Sequence, residues 1–444
     1  MDKKLIADTK LANDVLERNY YKDFRDGKKK IELFLTGACK ANCDYCYLKK
    51  HQKHLYPVAL QKEDVIIENL QKIFNWYIEN EFHCVFDIFS AEWLTTSLAD
   101  KVFDCIYDTF SKVPLENRPK MILAADNMQF IKDKELTEHI QYQLDRMESI
   151  GIHFPLSASI DGKYCDYGRT ENDDEFYQRL NDFMLKNKMR FHPMISADNI
   201  KHWIDNYLWF QETFDPSLSK LMTLEVRNNE WTEDSINQLL VYCDFLSDYL
   251  FKNRFNEDKQ QFLKYVLNIY DSAEERLNEP PYNIIALQNS SITNGQDYLT
   301  CSCHGTLPIR VGDLTVAPCH RLYYPELEIG KFNVEDGKIT DFTPTNVELL
   351  IMVCHMKKSC MPHCENCKFN DVCIGFCAGA SFEEYGNMLV PQLEVCKMYR
   401  AKLTFLIYKY YLMGLFDELD NVDLSDLRRM YLQDLINDVI GGGE

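Results

Sequence analysis

Between residues 31 and 226, short apolar runs alternate with longer stretches whose apolar positions recur at helical spacing. That alternation is the signature of strand-helix units repeated around a parallel sheet. Six strands are predicted: Ile31 to Leu35, Cys84 to Phe89, Met121 to Ala125, Ile152 to Ile160, Phe191 to Ile195 and Leu221 to Val226. Helical segments lie between them. One is Val65 to Tyr77, whose residues Val65, Ile66, Leu70, Ile73, Phe74 and Tyr77 fall on one face at three- and four-residue spacing. The fold class expected is α/β, a partial (β/α)6 TIM-like barrel. In such folds the chemistry collects at the carboxyl ends of the strands.

After Trp231 the pattern turns helical and amphipathic to about Leu277, and Pro280-Pro281 then marks a boundary. From Thr300 to Arg400 the chain is rich in cysteine and loops, and helical periodicity returns over residues 397 to 440. The expected domains are a helical segment at 1–30, a barrel at 31–230, a helical linker at 231–295, a cysteine-rich domain at 296–400 and C-terminal helices at 401–444. No repeat at solenoid spacing appears.

Composition narrows the class. Hydrophobic residues at 46% and charged residues at 27% describe a chain with a real core. A formal charge of −20, from 49 basic and 69 acidic residues, argues against nucleic acid as partner, because that affinity rests on Lys and Arg neutralising phosphates. The start Met1-Asp2-Lys3-Lys4 runs into polar sequence, and no apolar segment of about 20 residues follows. A cytoplasmic protein without a membrane partner is expected. In that reducing compartment 17 cysteines call for ligation or catalysis rather than disulfides.

Directly after the first strand comes Cys39-Lys-Ala-Asn-Cys43-Asp-Tyr-Cys46, three thiols within eight residues. Three ligands leave a four-iron cluster with one open iron, whereas structural zinc and ferredoxin sites supply a fourth cysteine. A second array, Cys364-x2-Cys367-x5-Cys373-x3-Cys377, is followed by Cys396, and Cys301, Cys303 and Cys319 lie upstream of it.

The C-x3-C-x2-C spacing, with aromatic Tyr45 before the last cysteine, resembles the radical S-adenosylmethionine superfamily, and the later array resembles its SPASM domain. The resemblance covers about residues 30 to 230 and 300 to 400. It implies three [4Fe-4S] clusters: one on Cys39, Cys43 and Cys46, an outer auxiliary cluster on Cys364, Cys367, Cys373 and Cys396, and an inner one on Cys301, Cys303, Cys319 and Cys377. The step from Gly312 to Cys319 is longer than the family's, and Cys354 or Cys360 remains open as a replacement for Cys301 or Cys303. The resemblance further implies reductive cleavage of S-adenosylmethionine to a 5′-deoxyadenosyl radical, with an external one-electron reductant of flavodoxin or ferredoxin type.

Cofactor contacts are expected on the same resemblance. Ser90-Ala91-Glu92 looks like a degenerate form of the family's turn that receives the methionine amino group. Ser159 and Asp161 lie in a segment like the family's Ser-Leu-Asp-Gly and are expected to bind the cofactor; Ser159 and Arg169 are assigned to the methionine carboxylate and ribose region, a bidentate guanidinium being suited to a carboxylate. The strand ends Ala125-Asp126-Asn127 and Ser196 to Asn199 offer polar atoms to the adenosine. His320, after Cys319, is open to two readings: a hydrogen bond that tunes a cluster, or a catalytic base. Segments beginning at Phe191, Leu224 and Trp231 are similar to those of maturases that cross-link a ribosomally made precursor peptide, with a thioether as the expected product. Carbon-carbon cross-linking, epimerisation and sulfatase maturation are the alternatives; an aspartate would be expected after Cys319 for the last.

Overall fold

The residues from Lys30 to Phe34 (β1) are almost entirely buried, as a strand must be when helices cover both faces of a parallel sheet. The computed structural model describes residues 3–55, 63–166, 169–218, 224–267, 269, 305–358, 361–373 and 375–441. Two compact units divide the chain. The first comprises Met1–Ile160, Asp166–Phe191 and Ser302–His355, and the second Asp161–Cys165, His192–Cys301 and Met356–Glu444.

The first unit is built on one sheet in which β1, β2 (Val85–Ile88), β3 (Ile122–Asp126), β4 (Leu156–Ala158) and β5 (Arg190–Phe191) run parallel in sequence order. The α/β architecture is the one expected. The predicted fifth strand divides: β5 closes this sheet, whereas β6 (Met194–Ile195) pairs with β7 (Leu224–Glu225) in the second unit. Pro193 lies at the break, and its ring nitrogen has no hydrogen to donate to a ladder.

Four further strands extend the sheet from the other side of β1. β8 (Thr306–Arg310) pairs with β1 in parallel, and β9 (Thr315–Val316), β10 (Gly330–Glu335) and β11 (Lys338–Pro344) follow antiparallel. This stretch lies in the segment expected to be the cysteine-rich domain at 296–400, and Pro308 falls within β8. Cys301, Cys303, Cys360 and Pro280-Pro281 lie outside the described residues.

Helices cover the sheet where their apolar stripes and caps direct them. Asp133 and Asp173 accept backbone N–H groups of Leu136 and Phe176, starting the helices Lys134–Ser149 and Asp174–Asn187. Such caps are worth about 1 kcal/mol each. In Glu63–Glu79, residues Ile66, Leu70, Ile73, Phe74 and Tyr77 are buried, but Val65 is exposed at the edge of the predicted stripe.

The second unit is helical. Glu233–Asn253 begins with a Thr232/Ser235 capping box and packs against Leu393–Leu412. Ser247 and Tyr410 share a hydroxyl contact of 3.2 Å, and buried Lys402 pairs with Glu225. Among the described residues no helix is long and apolar enough to cross a membrane.

Phe74 sits edge-on to Phe86 with ring centroids 5.2 Å apart, and 5.1 Å from the ring of Phe110. Phe74→Ala should cost about 3–5 kcal/mol, whereas Val65→Ala should change stability by less than about 0.5 kcal/mol. Urea denaturation of the two variants beside the parent checks both.

Candidate functional site

The loop that leaves β1 is held by side chains from the neighbouring strand end. Ser90 Oγ accepts the N–H groups of Leu35 (2.8 Å) and Thr36 (3.2 Å), and Ala91 N–H donates to Thr36 O at 2.9 Å. Glu92 is buried and fully used: Oε2 accepts Lys40 N–H (2.9 Å) and the Asn127 amide (3.3 Å), and Oε1 accepts the Thr95 hydroxyl (2.7 Å). Its own N–H donates to Ala38 O at 3.0 Å. Ser90 and Glu92, expected to face a cofactor, are thus bonded to the cysteine loop itself.

Cys39, Cys43 and Cys46 are half-buried on that loop. Cys46 N–H donates to Cys43 O at 3.2 Å, and Cys46 begins the short helix Tyr47–Lys50. Cys46 and Tyr47 pack against the apolar cluster of Phe34, Leu48, Leu55, Ala317 and Tyr323. The Asn127 amide lies 3.8 Å from Cys39 Sγ. Burial raises the Cys39 thiol pKa, the Ala41 N–H lowers it, and Glu92 and Cys46 raise it further. Tyr45, beside the last cysteine, is half-buried.

Against the loop opens a cavity of about 510 Å³, lined by Lys40, Ala41, Glu92, Thr95, Gln129, Lys132 and Arg169 to Glu171. That volume falls within the range of small-ligand sites. Arg169 is fixed at its wall. One guanidinium nitrogen donates to Ser159 O at 2.6 Å and another to Asp166 Oδ1 at 3.3 Å, while Asn42 N–H donates to Arg169 O at 3.0 Å. Three of the predicted positions, the cysteine loop, Glu92 and Arg169, therefore meet in one place. The latch role of Asn127 was missed, because nothing in its local sequence distinguishes it from a loop asparagine.

Asp126, at the end of β3, is buried at 3% exposure. Its Oδ1 accepts Met128 N–H at 2.6 Å, and Oδ2 has no hydrogen-bond partner among the described residues. Burial pushes the carboxyl up to about 7; the Met128 bond lowers it and Glu92 raises it.

Other predicted positions belong to the second unit and bond locally there. Asp161 Oδ1 accepts Met194 N–H at 2.8 Å, and Ser196 Oγ accepts Asn199 N–H at 3.2 Å. Trp231 is buried and donates its indole N–H to Val226 O at 2.8 Å.

The second unit also gathers four of the later cysteines. Cys364, Cys367, Cys373 and Cys396 line one cavity of about 40 Å³ with His363, Lys358, Arg400 and apolar walls. Short turns supply the first three, and the helix Leu393–Leu412 brings in the fourth. Burial pushes Cys364 up to about 12 and Cys396 up to about 11, and the neighbouring thiols add to both. Cys377 lies outside the lining of this cavity and caps the helix Ala378–Tyr385, its sulfur accepting Ala380 N–H at 3.5 Å. Among the described residues no three His, Cys, Asp or Glu side chains close on a single ion position.

In the first unit Cys319 is buried, and His320 beside it is firmly placed. Its Nδ1 lies 3.1 Å from Oε2 of the buried Glu32 on β1, and its ring stacks on Phe89 with centroids 3.8 Å apart. Glu32 was not singled out from the sequence, because an acid within a strand pattern reads as an outward position. Cys354, one of the possible replacement ligands, is buried, and its thiol is pushed up to about 11 by burial; Lys29 and a Tyr20 hydrogen bond lower it. Cys84 and Cys105 are buried as small apolar residues.

No protein-family model matches the chain, and no curated protein does. Among solved structures it is similar to native anSMEcpe with bound AdoMet, at a TM-score of 0.59 and 15% identity over 88% of this chain and 100% of that one. The same protein with AdoMet and the Cp18Cys peptide gives a TM-score of 0.56 at 15% identity, over 88% and 99%. Streptococcus suis SuiB bound to precursor peptide SuiA gives 0.47 at 12% identity, over 86% and 78%, too distant to argue from. At these identities the likeness to anSMEcpe establishes the fold.

A carboxyl whose folded-state pKa is raised costs stability as pH climbs from its unfolded value, about 3.9, through its folded value, here about 7. Asp126→Asn should therefore be more stable than the parent above pH 7 and lose that advantage as pH falls toward 4. Thermal unfolding at fixed intervals of pH checks the difference.

Proposed function

We propose that the chain is a radical S-adenosylmethionine enzyme of the SPASM type that modifies a peptide. The observation that carries this reading is the loop after β1, which bears three half-buried thiols and whose Lys40 and Ala41 help line a polar cavity walled by a fixed guanidinium. Its donor set fits an iron-sulfur cluster with one position left for a ligand: three thiols from one short loop, with an amide at 3.8 Å from one sulfur. The second cavity fits a fully ligated cluster. Its four thiols line one cavity, the number of ligands that a four-iron cluster takes.

When bound, the cluster and S-adenosylmethionine would supply a carbon radical able to take hydrogen from an unactivated carbon. The protein's own part is placement. Glu92 and Asn127 hold the loop that carries Cys39, Cys43 and Cys46, through Lys40 N–H and a contact to Cys39 Sγ. Arg169, held by Ser159 O and Asp166, offers a cation suited to the methionine carboxylate. His320, set by Glu32 and Phe89, is the residue we assign to the substrate side. An external one-electron donor of flavodoxin or ferredoxin type would complete the cycle.

A peptide substrate is supported by the fold, which anSMEcpe uses with the Cp18Cys peptide bound. Within that class the finer reading is a thioether joining a cysteine sulfur to carbon in a precursor peptide. The second reading, oxidation of a cysteine as in sulfatase maturation, is favoured by the likeness to anSMEcpe and disfavoured by His320 standing where an aspartate is expected. Product mass separates them: a thioether loses two hydrogens and keeps the sulfur, whereas formylglycine loses the sulfur.

Anaerobically reconstituted protein should carry about 12 irons, four for each of three clusters. Arg169→Ala should keep that iron and weaken S-adenosylmethionine binding about ten- to a hundredfold, the value of about 1.5 to 3 kcal/mol for a hydrogen bond to a charged group. Equilibrium titration followed by the cluster's electron paramagnetic resonance measures both. Unchanged affinity would remove Arg169 from the site, and a chain that binds no iron would end the proposal.

A further inference from the structure

Lys358 is 2% exposed, an unusual place for an ammonium. Its Nζ donates to the carbonyl oxygens of Asn370 and Cys373, the latter at 3.3 Å. Both acceptors are uncharged, and neither Asp nor Glu is among the described residues lining the cavity beside it. A buried cation without a nearby anion is unfavourable. The groups that share its cavity and can become anionic are the four thiols of Cys364, Cys367, Cys373 and Cys396.

A second cation stands at the rim. One guanidinium nitrogen of Arg400 lies 3.8 Å from Cys367 Sγ, and Gly375 N–H donates to Cys373 Sγ at 3.3 Å.

We infer that Lys358, with Arg400 as its exposed companion, is the counter-cation of this four-cysteine site and holds the reduction potential of its cluster up. The inference rests on the iron-sulfur reading above. Four thiolates make a four-iron cluster negative before and after it takes an electron, and the added electron deepens that charge. A fixed cation at short range therefore favours the reduced state, net charge and hydrogen bonds to sulfur being recognised controls of cluster potential. Lys358, shielded from water, should act more strongly than exposed Arg400.

The test is a potentiometric titration of the reconstituted full chain with dithionite and mediators, followed by electron paramagnetic resonance. The relevant signal is the one lost in a Cys364→Ala/Cys396→Ala variant. Lys358→Met should retain iron and signal but shift the reduction equilibrium tenfold or more toward the oxidised form, a fall of about 59 mV for a one-electron couple. Arg400→Gln should shift it the same way by less, and Lys358→Arg should stay near the parent. Midpoints unchanged or raised in both neutralised variants overturn the inference. Should Lys358→Met fail to fold, Arg400→Gln decides alone: a lowered potential sustains the inference and an unchanged one overturns it. A parent chain with no signal that depends on Cys364 and Cys396 overturns the iron-sulfur reading of this cavity, and the inference with it.

Discussion

Glu92 is the point on which the first site depends, because its buried carboxylate gathers a backbone N–H from the cysteine loop, an amide from the end of β3 and a hydroxyl from its own turn. A buried carboxylate is costly unless its lone pairs are filled, so three partners converge on it and the strand ends are drawn together. Ser90 adds a hydroxyl that accepts two N–H groups at the start of the loop. The three thiols thus stand on a loop braced from two neighbouring strand ends rather than on a free one. Any ligand they hold inherits that geometry.

Both cysteine sites face the same electrostatic problem, and the described residues answer it with cations and N–H groups. Burial, with the neighbouring thiols adding to it, pushes Cys364 and Cys396 up to about 12 and 11. A metal bound there would have to displace those protons. At the loop after β1 the nearby cation is Arg169, which draws Cys39 down. At the second cavity it is Lys358 and Arg400.

Much of this was legible along the chain, for physical reasons that differ by element. β1 to β4 announced themselves as short apolar runs between stretches of helical period. The three-cysteine loop and the Cys364 to Cys373 spacing are local, and local patterns survive in a sequence. Cys396 reaches its cavity on a separate helix, and its place there was implied by resemblance. What could not be read depends on convergence in space: the work of Ser90 and Glu92 on the loop, the Asn127 latch, and the Glu32 carboxylate beside His320. Proline marks two of the differences. Pro308 sits inside β8, and Pro193 lies where one predicted strand becomes two. Val65 shows the limit of a helical stripe, whose edge residues are decided by the neighbouring element.

The central claim is that Cys39, Cys43 and Cys46 support reductive cleavage of S-adenosylmethionine, and the most direct measurement is the 5′-deoxyadenosine formed when the anaerobically reconstituted chain is reduced in its presence. The account predicts 5′-deoxyadenosine from the parent and none from a Cys39→Ala/Cys43→Ala/Cys46→Ala variant that still carries its other iron. Cleavage that persists in that variant, or a fully iron-loaded parent that forms none, would contradict it.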